Sequence, residues 1–195
     1  MNITKTVNYF NYGKTIYFRW LYELSWVKKI GLSLLFALIT GIFAQIRIPL
    51  GFTPVPVTGQ VFVVLLSGVL LGSIYAGLSM AFYLFFGALG VPWFAGLRAG
   101  ISIGPTLGYI FGFIPAAIFI GMFAHKSNRL LNQIIVMAVG ILVIYFIGAL
   151  NFAILMKTDF STTMKMAVLP FIPFDIVKAI IAGFVSRAIL PDERH

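Results

Sequence analysis

Ile48-Pro49-Leu50-Gly51-Phe52-Thr53-Pro54-Val55-Pro56-Val57-Thr58-Gly59-Gln60 opens a stretch of 50 residues, from Arg47 to Arg98 exclusive, that carries no charge. One bilayer span needs about 20 apolar residues, so this stretch is too long to be a single helix. Gly51, Pro54 and Pro56 mark its first part as a turn-rich loop. Gly72-Ser73 then divides the remainder into two helices.

The same reasoning extends in both directions. Upstream, Ile30 to Ile46 is an uncharged run. Downstream, Ala99 to Ala124 is another, helical from about Pro105, followed by Leu130 to Met156 and by a last span near Phe174 to Leu190. Composition agrees: 61% of the 195 residues are hydrophobic, 10% are charged, and the mean hydropathy is +1.03. Soluble domains carry about 25% charged residues, too many to be compatible with this chain. The expected fold is an all-α integral membrane protein of six transmembrane helices. Residues 1–29 are expected to form a cytosolic or interfacial arm, and residues 30–195 the six-helix membrane domain.

Orientation follows from the cations. With the N-terminus inside, the inner segments hold Lys5, Lys14, Arg19, Lys28, Lys29, Lys126, Arg129, Arg187 and Arg194, and the outer loops hold Arg47, Arg98, Lys157 and Lys165. This excess predicts an N-in, C-in chain. It also accounts for the net charge of +9 without nucleic acid, because the charges lie between apolar runs rather than in one patch. The aromatic-rich segment from Tyr9 to Trp26 suits a helix lying in the bilayer interface, and its long basic region argues against a cleavable signal.

Two patterns imitate catalytic motifs. Gly100-Ile101-Ser102-Ile103-Gly104 matches a nucleophile elbow, which needs a histidine base, yet His125 falls at the far end of the next helix and His195 on the same inner side. Gly13-Lys14-Thr15 resembles the end of a P-loop, but Asn8 stands where that loop needs glycine. With no cysteine, and with carboxylates and histidines scattered, no metal site or cofactor is expected. A membrane-embedded enzyme acting on lipid would need an acid–base pair, and Asp175 with Lys178 is the sole close one.

That pair is informative for another reason. Each charge is costly in a membrane, about 2.5–3.5 kcal/mol at a helix centre. At i, i+3 the two share a helix face and can neutralise each other, and Pro173 places Asp175 in the first turn, where the helix dipole favours an anion. The loops at Phe52-Thr53 and at Trp93-Phe94 through Arg98 fall on the same outer face, with Tyr83 and Asn151 on helices approaching it. Together these residues outline an apolar pocket with a few convergent polar groups. A cation at Arg98 suits a carboxylate ligand. Small residues line two stripes, Gly104-Gly108-Gly112-Ala116 and Ser33-Ala37-Gly41, at spacings that let helices approach closely.

The run from Ile48 to Gln60 resembles the opening loop of the BioY family, the biotin-specific substrate-binding (S) components of energy-coupling factor (ECF) transporters. Gly87 to Gly96, Gly104-Pro105-Thr106-Leu107-Gly108-Tyr109 and Asp175-Ile176-Val177-Lys178 agree with it in order, over about residues 30 to 190. Gly59 and Leu97-Arg98 depart from the usual pattern. The resemblance implies a multi-pass protein of the prokaryotic cytoplasmic membrane that binds biotin in an outward-open pocket. Asp175 and Lys178 would contribute to that pocket, and Phe52, Thr53, Gln60, Trp93 and Phe94 would cover the ligand. It further implies a transmembrane coupling subunit and two ATPases as partners, the coupling subunit contacting Ser33, Ala37 and Gly41. A stand-alone vitamin facilitator is the alternative within the same class.

Overall fold

The computed structural model describes residues 23–100, 104–127 and 129–190. The interfacial arm and the Gly13-Lys14-Thr15 segment lie outside them, as does the centre of the Gly100–Gly104 pattern. Six helices follow in order: α1 (Trp26–Phe43), α2 (Gln60–Ala88), α3 (Leu107–Phe123), α4 (Leu130–Met156), α5 (Phe160–Ala167) and α6 (Ile172–Ile189). Helix α1 starts four residues before the expected boundary, so Lys28 and Lys29 belong to the helix rather than to the arm. Two short strands, β1 (Arg47–Ile48) and β2 (Val57–Thr58), pair antiparallel and close the loop between α1 and α2 into a hairpin.

Helix α2 is two helical arms joined at a sharp kink. Gly72 adopts φ 73°, ψ 177°, a conformation that glycine alone reaches at low cost. Gln60 Nε2 donates to Tyr83 Oη over 2.6 Å. A straight helix would hold residues 23 apart in sequence about 35 Å from one another. The two arms, 60–71 and 73–88, therefore run antiparallel with Gly72 at the apex, where the sequence divides them. Gly121 of α3 lies under the turn, and a Cβ there would come within 2.6 Å of Ser73 Cα.

Counting the arms of α2 separately and setting aside the short α5, six helical segments alternate in direction through the described bundle. By length and composition, α1, α2, α4 and the segment Leu107–Lys126 are each able to cross a membrane, and α5 with α6, bent by 51°, forms a further stretch of this kind. Large apolar side chains such as Leu142, Phe146 and Ile154 point outward from α4, a surface suited to lipid and unsuited to water.

Both small-residue stripes pack inside the chain. Gly108 and Gly112 let α3 lie against Ile147 and Ile144 of α4. Ser33 and Ala37 are fully buried, Ser33 Oγ donates to the Tyr75 carbonyl at 2.9 Å, and Gly41 faces Trp93 Cβ. This corrects the expectation that Ser33, Ala37 and Gly41 contact a partner subunit. Their lack of bulk serves the approach of α1 to the second arm of α2, and α1 turns Leu34, Leu35, Leu38 and Ile42 outward instead.

Candidate functional site

At the end of the bundle where α1, the second arm of α2 and α4 finish, and where α3 and α6 begin, lies a cavity of about 260 Å³. The β1–β2 hairpin forms one side of its mouth. The other side is the 93–98 turn, where Phe94 and Arg98 bridge antiparallel (Phe94 N to Arg98 O 3.1 Å) and Gly96 and Leu97 take positive φ. Val55, Val61, Ile110, Phe113 and Phe171 supply apolar wall.

Asp175 sits in that wall, 4% exposed. Ile172 is the first residue of α6 and Pro173 the second, which places Asp175 in the first turn, its amide donating to Phe171 O at 3.0 Å. Lys178 Nζ donates to Oδ1 at 2.6 Å, and the Tyr145 hydroxyl from α4 donates to Oδ2 at 2.7 Å. Each carboxylate oxygen retains a lone pair, and the ammonium retains donors, so the pair can still bond a ligand. Removing Lys178 would leave the Asp175 charge buried without its ion-pair partner, at a cost of about 3–5 kcal/mol.

Six of the expected residues line this cavity: Asp175, Lys178, Arg98, Phe94, Thr53 and Gln60. Four do not. Tyr83 is fully buried behind the wall, where it accepts from Gln60 and donates to the Trp93 carbonyl at 3.2 Å. Trp93 turns its indole inward, Nε1 donating to Tyr83 O at 2.9 Å. Asn151 packs beneath Gly108, and its amide reaches the Gly104 carbonyl at 3.2 Å, holding the entry to α3. Phe52, 59% exposed, stands at the tip of the hairpin loop beside Gly51 and points away from the cavity. The first three buttress the site from outside the cavity, because each finds its polar partner in the protein. Gln60 and Thr53 are on the lining but also committed, Gln60 to Tyr83 and Thr58, Thr53 to the amide of Val55.

Three residues of the site escape a reading of the sequence. Tyr145 has the right chemistry, but its partner lies 30 positions away. Tyr109, on the lining, donates to Ala167 O at 2.5 Å and fastens the end of α5 to α3. Gln45 joins the two sides, its Oε1 accepting from Leu97 N at 3.0 Å and its Nε2 donating to the Trp93 and Phe94 carbonyls. Gly59, a departure from the usual pattern, lies against the backbone oxygen of Phe43, where a Cβ would sit 2.8 Å away.

Fold and cavity together define a polytopic membrane protein that can take up one small polar molecule at one end of its helical bundle. A BioY family model matches residues 13–194, and the chain belongs to that family. It is 39% identical over 147 residues to the biotin transporter BioY of Thermotoga maritima, covering 73% of this chain and 84% of that one. It is 41% identical over 162 residues to the probable biotin transporter BioY of Pyrococcus horikoshii, with 82% and 94% covered. Its fold matches the crystal structure of the S-component for biotin from an ECF-type ABC transporter, with a TM-score of 0.76, 28% identity, and coverage of 83% of this chain and 89% of that chain.

Proposed function

We propose that this chain is the biotin-binding S component of an ECF transporter and holds the vitamin in the mouth cavity. The observation that carries the reading is the buried Asp175, bonded to Lys178 and Tyr145 yet facing the cavity. Biotin offers a ureido head with two N–H donors and a carbonyl, a sulfur ring and an acidic tail. Asp175 accepts from the ureido N–H groups, and Lys178 uses a remaining proton for the ureido carbonyl. The apolar wall takes the ring system, and Arg98 meets the tail carboxylate.

Both ends of the described bundle lie on the side opposite the mouth. The excess of lysine and arginine in the segments that the sequence assigns to that side supports a cytoplasmic location for it, with the mouth opening outward and the six spans crossing the prokaryotic cytoplasmic membrane. Uptake then requires energy from outside the chain, supplied by a coupling subunit and two ATPases. The relatives bear the names of transporters, and this chain is a transport component rather than an enzyme.

Thermal unfolding of the purified protein against a vitamin panel tests the reading, because a ligand bound by the folded state alone raises stability by mass action. Biotin should stabilise far more than thiamine or riboflavin; equal shifts would reject it. Asp175→Asn should weaken biotin binding by about tenfold to a hundredfold, the worth of a charge-assisted hydrogen bond.

A further inference from the structure

By sign alone Arg47 reads as an interfacial anchor. Such an anchor lays its stem along lipid-facing surface and sends its head to the interface. The structure places it differently. Arg47 opens β1 opposite Thr58, and its guanidinium crosses from the hairpin to the facing turn, where a Cβ on Gly96 would lie 2.5 Å from Nη1 and 3.0 Å from Cζ. Gly96 (φ +80°) leaves room for it. Arg47 and Arg98 both line the cavity, from opposite sides of its mouth.

Neither guanidinium has an ion pair or hydrogen bond among the described residues. The acid of the cavity, Asp175, is already held by Lys178 and Tyr145, and Asp159 caps α5. Two positive charges therefore remain uncompensated where a ligand tail would emerge. A carboxylate has about four acceptor sites, enough for two guanidinium forks, and arginine is the side chain whose planar fork matches it.

We propose that Arg47 and Arg98 form a two-guanidinium clamp for the carboxylate of the ligand, and that Arg47 makes the cavity select a free acid over its neutral amide. The proposal rests on biotin being held head-first at Asp175. Calorimetric titration of the full chain in nanodiscs with biotin and with biotinamide, which keeps the head and loses the tail charge, tests it. The native chain should prefer biotin by about a hundredfold or more, and Arg47→Gln should weaken biotin by about tenfold to a hundredfold while leaving biotinamide within about twofold. Arg47→Lys, which keeps the charge but not the fork, should recover part of the preference.

Equal weakening of both ligands would make Arg47 structural and overturn the clamp. So would an unchanged biotin affinity in Arg47→Gln, and if Asp175→Asn still lost binding, the biotin reading would stand without the clamp. Binding of neither ligand by the native chain would overturn both.

Discussion

Cavities of about 260 Å³ lie at opposite ends of the described bundle, and the polar groups at those two ends behave differently. Away from the mouth, buried polarity is closed upon itself. Gln133 donates to the carbonyls of Ala124 and Ser127 and accepts from Ser186 at 2.6 Å. His125 Nε2 lies 2.8 Å from the Val69 carbonyl, next to the Gly72 apex. These contacts satisfy backbone groups that the 3₁₀ turn at Ala124–Lys126 and the bend of α2 leave without regular partners. At the mouth, Asp175, Lys178, Arg47 and Arg98 retain bonding capacity directed into open volume. Buried polar groups alone do not mark a binding site; unsatisfied capacity facing a cavity does.

Substitutions at matching positions separate the two ends. Asp175→Ala should have the largest effect, abolishing measurable biotin binding and destabilising the fold by about 1–3 kcal/mol, because the half-buried Lys178 and the Tyr145 hydroxyl lose their acceptor. Denaturation in detergent together with biotin titration would measure both. Gln133→Leu should cost about 2–3 kcal/mol through orphaned carbonyls and leave biotin affinity within about twofold. A collapse of affinity there would show that the ends are not independent.

Tyr145→Phe comes next, at about 1.5 kcal/mol and roughly tenfold in affinity, since it removes one donor to the Asp175 carboxylate. Unchanged affinity would mean that Lys178 alone orients the acid. Smallest is Asp159→Asn at the exposed start of α5. A hydrogen bond from Thr162 holds the Asp159 carboxyl below its usual range. Its support of α5 is therefore present at neutral pH and fades as pH falls through that depressed pKa. The hydrogen-exchange protection of residues 160–167, taken relative to the intrinsic exchange rate at each pH, should fall in acid in the native chain and far less so in Asp159→Asn.

Much of this arrangement is legible in the sequence because it rests on periodicity and local breaks. Asp175 and Lys178 are three apart on one helix, so their pairing needs only helical geometry. Gly72 separates two apolar runs, and its positive φ explains why the bend falls there. Aim is harder to read. Trp93 and Tyr83 have the composition of a binding wall, but their polar atoms meet each other behind it, an outcome of how α2 packs on the 93–98 turn. Tyr145 reaches Asp175 only through the docking of α4 on α6. Arg47 contributes to a count of charges in the sequence, and only the hairpin shows which way it points. The Ser33-Ala37-Gly41 stripe states that something comes close to α1 without naming it, and it is the chain's own second arm of α2 with Trp93 just beyond it.

The central claim is that the ligand's head meets the Asp175–Lys178 pair at the mouth. A structure of the protein with biotin bound tests it most directly. The account predicts ureido nitrogens within hydrogen-bond distance of Asp175 and the tail directed toward Arg98. Biotin in the cavity beside Gly72 and His125, or in the mouth with its head turned away from Asp175, would contradict it.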